Sequence, residues 1–176
     1  MTAIAPAGVT TDTTLAVGAS GPAFEGLLGT DGRRYGSADG AGRSALVLVF
    51  SSNRCPTAKA YDSRLVGLQR DYAARGVQVM AINSNDPHLY PDESFARMVE
   101  RAAEGGFTFP YVVDAGQAVA KACRAVCTFH VFVFDRDYRL RYRGRFDDSR
   151  IPERVTSHDL RDALDAIVAG RDVARP

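Results

Sequence analysis

Ala45-Leu46-Val47-Leu48-Val49-Phe50 is the segment that most narrows the folds open to this chain. An unbroken aliphatic and β-branched run of this length reads as a strand buried on both faces, at the centre of a parallel sheet. Such a strand needs helices on either side, and the flanking sequence supplies them. Tyr61, Leu65, Leu68 and Tyr72 fall at i, i+4, i+7 and i+11, one face of a helix that Gly76 ends. Val77 to Ile82 is a second strand. Pro91-Asp92-Glu93 resembles a helix start, its acids near the positive end of the dipole. Phe95, Met98, Val99 and Ala102 would line that helix's inner face, and Gly105-Gly106 would stop it. Tyr111 to Val113 is a short strand and 116–123 a short helix. Val131 to Phe134 and Tyr138 to Arg143 pair around the turn Asp135-Arg136-Asp137. The last helix carries the stripe Leu160, Leu164, Ile167, Val168, with a capping box expected from Thr156 and Asp159, a staple from Val155 to Leu160, and Gly170 closing it.

Ahead of the central strand, 17–44 suits a small hairpin turning at Asp31-Gly32, between Leu27-Leu28 and Arg33-Arg34-Tyr35. Residues 1–16 lack periodicity and are expected to be a flexible tail, leaving 17–176 as one domain. Alternating strands and helices closed by a β-hairpin predict an α/β three-layer domain with a mixed central sheet. At 176 residues, 45% hydrophobic and 24% charged, the chain has the make-up of one globular domain, which excludes a disordered or fibrous protein. A net charge of +1 gives no field suited to nucleic acid. No apolar run approaches the roughly 18–20 residues of a membrane span. The first twenty residues have neither the basic nor the apolar region of a secretory leader, so a cytoplasmic protein is expected.

Three cysteines, Cys55, Cys123 and Cys127, are too few for a disulfide scaffold. Cys55 stands apart. It follows the most buried strand through Ser51-Ser52-Asn53-Arg54 and opens the first long helix, where unpaired backbone N–H groups favour an anion. Arg54 is its neighbour, and Pro56 suits a first helical turn. This setting is expected to favour the thiolate.

Several stretches together resemble one family. They are Asn53-Arg54-Cys55-Pro56 with Lys59-Ala60-Tyr61, the run Gly76 to Asp86, Phe109-Pro110-Tyr111, and Ala125-Val126-Cys127-Thr128. Phe132 to Asp135, Tyr142 to Arg145 and Asp147-Asp148 complete the set. In this order they resemble the thioredoxin-fold superfamily, and within it the peroxiredoxin-like branch of alkyl hydroperoxide reductases and thiol-specific antioxidant proteins. The resemblance spans about 17–172. It implies a thioredoxin-like fold and thiol redox chemistry at Cys55, on a peroxide or a disulfide substrate, with an external thiol reductant such as thioredoxin. It implies no cofactor.

Two departures from the family pattern matter. Relatives carry C-x-x-C-P, whereas here Ser52 replaces the first cysteine and no disulfide can form inside the motif. The change resembles the peroxiredoxin arrangement, in which a hydroxyl three residues before the cysteine orients a peroxide. Ser52 and Arg54 are then candidates for polarising it. That pattern's proline is Leu48 here, and its later arginine has no clear equivalent. The second departure is Phe129, where relatives have a cis-proline after the threonine of Cys127-Thr128. A non-proline cis bond costs about 2.5–4 kcal/mol, so a trans bond and a reshaped loop are expected.

In that fold the Cys127 loop faces the Cys55 turn, which makes Cys127 the leading resolving thiol and Cys123 the second. Thr128 and His130 belong to the same loop. His130 is either a strand-edge residue or a base for Cys55. A competing class is a metal protein, with copper or zinc held by Cys55, Cys127 and His130. A specialised redoxin of a biosynthetic pathway is a further alternative, and oligomerisation is left open. Arg139, Arg141, Arg143 and Arg145 fall on one strand face. They are read as a solvated edge neutralised by Asp147, Asp148 and nearby acids, against an anion-binding alternative. Asn83 to Pro87 is read as turn chemistry, the alternative being that it lines the site. His88 and His158 are assigned no role.

Overall fold

A computed structural model describes residues 15–175. All but the last two residues of the expected tail, Leu15 and Ala16, therefore lie outside the described residues. In chain order the elements are β1 (Leu27–Gly29), β2 (Arg34–Tyr35), β3 (Ala45–Ser51), α1 (Pro56–Ala73), β4 (Val77–Asn83) and α2 (Phe95–Glu104). They continue with β5 (Tyr111–Val113), α3 (Ala118–Cys123), β6 (Val131–Asp135), β7 (Leu140–Gly144) and α4 (Asp159–Val168). One seven-stranded sheet runs β2-β1-β5-β4-β3-β6-β7. The β3–β4 and β4–β5 pairs are parallel and the other pairs antiparallel. This is the expected mixed sheet, with the N-terminal hairpin added at one edge.

Every residue of β3 is buried. Val47 and Val49 face a core formed with Leu65 and Leu68 of α1, Met98 of α2, and Leu160 and Leu164 of α4. Leu46, Leu48 and Phe50 face the opposite core, with Met80, Ile82, Phe132, Phe134 and Val119 of α3. Burying a leucine fully contributes roughly 2 kcal/mol, so strand and helix stripes hold each other in place. The α1 stripe is as expected, with Tyr61, Leu65, Leu68 and Tyr72 all buried. The chain leaves the helix through Gly76 at φ +78°, a conformation glycine takes without steric cost.

Three expectations need correction. Pro91–Glu93 is a separate 3₁₀ turn, and α2 begins only at Phe95. Val99 lies on the exposed side of α2, whose buried residues are Met98 and Arg101. The helix therefore sits rotated from the apolar reading, because Arg101 finds buried partners. Thr156 does not cap α4. Its N–H and hydroxyl both donate to Asp148, and His158 takes the N-cap position without a side-chain bond. Among the described residues no helix is long and apolar enough to cross a membrane.

Candidate functional site

The sheet delivers the site at the carboxyl end of its most buried strand. β3 ends at Ser51, and Ser52-Asn53-Arg54 carry the chain to Cys55, the N-cap of α1. Cys55 is half-buried and packs its sulfur side against the α1-side core. Its backbone is extended, and Pro56 follows within the first turn. As N-cap, Cys55 makes no side-chain hydrogen bond to the amides of the first turn. A thiolate there lies at the positive end of an 18-residue helix.

The residues before Cys55 are held by groups remote in sequence. Ser51, Ser52 and Asn53 are buried, and so is Glu93. Ser52 Oγ donates to Glu93 Oε1 at 2.5 Å, and the Arg54 N–H reaches the same oxygen at 3.3 Å. Glu93 Oε2 accepts the Asn53 N–H at 2.7 Å and Asn83 Nδ2 at 2.9 Å. The Cys55 N–H donates to Ser52 Oγ at 3.1 Å. Arg101 Nη1 donates to the Ser52 carbonyl at 2.6 Å, while its Nε and Nη2 bind Asp62 of α1. The Tyr111 hydroxyl donates to Asn53 Oδ1 at 2.8 Å, and burial, foremost, pushes that phenol well above its ordinary range, so it remains a donor.

The sequence singles out none of Glu93, Arg101 or Tyr111 as a site residue, and Asn83 only through the alternative that its stretch lines the site. Asp92-Glu93 read as two equivalent helix-start acids, and nothing local distinguishes the one that turns inward. Asn83 lies in the stretch read as a turn, and it in fact backs the reactive segment, with Asn85 Nδ2 reaching the Ser51 carbonyl.

The other predicted residues fare unequally. Arg54 is exposed, its guanidinium stacked over the Tyr90 ring at 4.3 Å. Cys123 is fully buried in the second core, and burial pushes its thiol up to about 12, so it packs. Cys127 is exposed, and its thiol is raised first by partial burial and then by the charge of Cys55, which reaches it across the site. All three cysteines are free.

The Cys127 loop is tied to the end of β3. Phe129 N–H donates to the Phe50 carbonyl at 2.5 Å, and Phe50 N–H donates to the His130 carbonyl. No described peptide bond is cis, as expected, and the loop is reshaped around Phe129 at φ +67°. The Phe129 ring stacks on Tyr61 at 4.5 Å. Thr128 is half-buried beside it.

His130 packs on Phe132, and its Nδ1 accepts the Val126 N–H. Burial, then Arg143, lowers its pKa, which favours the neutral ring. Among the described residues no group of three or more His, Cys, Asp or Glu is arranged to hold a metal ion, so Cys55, Cys127 and His130 are not gathered as one.

The arginine strand is satisfied within the chain, by nearby acids and carbonyls and not by hydrogen bonds to Asp147 or Asp148. Arg141 pairs with Asp135 and Asp172, and Arg145 with Asp159. Arg139 and Arg143 donate to the Gly18 and Leu15 carbonyls. Asp147 instead serves Tyr61 and Arg64, and Asp148 serves Thr156.

Comparisons with known proteins bear on this site. Among solved structures, a hypothetical protein from Sinorhizobium meliloti 1021 is 39% identical, covering 93% of this chain and 90% of its own, with a TM-score of 0.86. An uncharacterized conserved protein from Geobacillus kaustophilus is 40% identical, covering 92% and 86%, with a TM-score of 0.85. The fold is shared more distantly with the peroxidoxin BcpB from Mycobacterium tuberculosis (17% identity, 89% and 98% covered, TM-score 0.67). A putative thiol:disulfide interchange protein DsbE from Chlorobium tepidum is similar in the same way (18%, 89% and 98%, 0.69). No curated protein matches. The family model described as Redoxin matches residues 16–164, from ahead of the hairpin into α4 and across the whole Cys55 turn. On that span the chain belongs to the Redoxin family.

Proposed function

We propose that this chain is a thiol-disulfide oxidoreductase in which the Cys55 thiolate attacks a disulfide and Cys127 resolves the product. One observation carries the reading: Cys55 is the thiol held half-exposed at the N-cap of α1, with exposed Cys127 on the loop that packs against the end of β3. The Cys55 sulfur attacks one sulfur of the substrate, the substrate S–S bond breaks, and the departing thiolate takes a proton. Cys127 then attacks Cys55 and releases the second substrate thiol. The resulting Cys55–Cys127 disulfide is reduced by an external dithiol of thioredoxin type.

Disulfide exchange suits the turn better than peroxide reduction. A peroxide needs donors to polarise its oxygens. The Ser52 hydroxyl and the Asn53 and Arg54 amides are committed to Glu93, and the Cys55 amide to Ser52. The Arg54 guanidinium sits on Tyr90. Ser52 in this reading positions the turn instead of touching substrate. Peroxide is the second substrate class, favoured by the absence of a thiol at position 52. Cys55 would then become a sulfenic acid, and Cys127 or an external thiol would condense with it and release water.

The test is reduction of a small disulfide by dithiothreitol, with intact mass read on the same samples. The wild type should accelerate the reaction, and Cys55→Ser should fall to the uncatalysed rate. Cys127→Ser should accumulate the mixed disulfide on Cys55. Full activity in Cys55→Ser would end the proposal. Peroxide consumption lost in Cys55→Ser, with no disulfide turnover in the wild type, would transfer it to the peroxide class.

A further inference from the structure

Glu93 is a buried carboxylate that the exchange step itself leaves unused. A carboxylate offers about four acceptor positions, and Glu93 fills four of them. Three of its donors, Ser52 Oγ, Asn53 N–H and Arg54 N–H, come from the segment directly ahead of Cys55. The fourth, Asn83 Nδ2, ties it to the end of β4. Ser52 Oγ passes the constraint on by accepting the Cys55 N–H. Arg101 on the Ser52 carbonyl and Tyr111 on the Asn53 side chain hold the other edge of the turn.

We propose that Glu93 is the positioning residue of the reactive turn, acting through Ser52, and that it is the reason position 52 carries a hydroxyl instead of a second thiol. A hydroxyl gives a carboxylate a short, charge-assisted bond, whereas a thiol is a weak donor. A disulfide at position 52 would have no donor at all, leaving Oε1 short of a partner in a buried place. A thiolate there would meet a like charge at hydrogen-bonding range. Each effect holds position 52 in its protonated, reduced form. The Ser52–Glu93 pair thus excludes dithiol chemistry within the motif and leaves Cys55 its one redox thiol, with any resolving thiol outside it.

The inference rests on Cys55 being the reactive thiol, but its tests need no substrate turnover, so its failure and the failure of that assignment are separable. In a Cys127→Ser background, Ser52→Cys and Ser52→Cys with Glu93→Gln are equilibrated with reduced and oxidised dithiothreitol, alkylated and weighed. Closing the new disulfide removes two thiol protons and two electrons from the protein, which convert one oxidised dithiothreitol to its dithiol. With Glu93 in place, half-closure should require at least tenfold more oxidised dithiothreitol than with Gln, about 30 mV. Equal midpoints would overturn the proposal.

A second arm leaves Glu93 untouched and so stands even if the Gln variant fails to fold. Iodoacetamide alkylation of Cys55 in Ser52→Thr, which keeps the hydroxyl, should stay within twofold of wild type. Ser52→Ala should shift it at least fivefold, with the circular dichroism spectrum unchanged. Wild-type rates in Ser52→Ala would equally overturn the proposal.

Discussion

Phe129 holds a left-handed backbone, φ +67°, that a bulky residue rarely takes and that costs roughly 1–2 kcal/mol. Two contacts offset that cost, its N–H on the Phe50 carbonyl and its ring stacked on Tyr61. The family resemblance places proline here. Proline fixes φ near −65° and has no N–H, so Phe129→Pro cannot restore the relatives' loop on this backbone. It should destabilise the protein by about 3 kcal/mol or more, read from the urea midpoint. A loss under about 1 kcal/mol would show that the loop has another conformation open to it. The trans bond at this position was legible in sequence, because the cost of a non-proline cis bond is intrinsic. The positive φ was not, because it depends on where Phe50 and Tyr61 stand.

At the scale of elements, α2 departs furthest from its apolar pattern. Apolar spacing puts Phe95, Met98, Val99 and Ala102 on its inner face, yet Arg101 goes inward and Val99 outward. An arginine can take that place because Asp62 of α1 meets its Nε and Nη2, and the Ser52 carbonyl meets its Nη1. Side-chain exposure is 10% for Arg101 and 19% for Asp62, so removing the acid strands a nearly dry cation. Breaking a buried pair costs about 3–5 kcal/mol, and partial exposure of Asp62 brings the expected loss for Asp62→Ala to about 2–3 kcal/mol. Chemical denaturation measures it, and a neutral result would mean the turn retains Arg101 without its partner on α1. Hydrophobic spacing located α2 but could not orient it, since an apolar stripe says nothing of a cation that finds partners.

At the scale of the whole molecule, β3 separates two cores, and the fold needs both. Leu65 of α1 lies in one and Leu48 of β3 in the other, each at most 2% exposed. Leu65→Ala and Leu48→Ala should each cost about 2–5 kcal/mol, since each leaves a cavity in close-packed surroundings. Thermal unfolding of the two variants checks this. If either were neutral, that face of the sheet would not be packed as described.

Periodicity and turn chemistry let the sequence alone determine the element order, the doubly buried central strand, the α1 stripe and the placing of Cys55 at a helix start. Those patterns are local records of which side of each element meets the core, and they survive without knowledge of the partner. Only the tertiary structure decided what holds Cys55 in place. Ser52 and Glu93 are 41 residues apart, and Ser52 and Arg101 are 49 apart. A buried carboxylate is tolerable only where several donors converge on it. That convergence is a property of the folded chain, and no local pattern of acids records it.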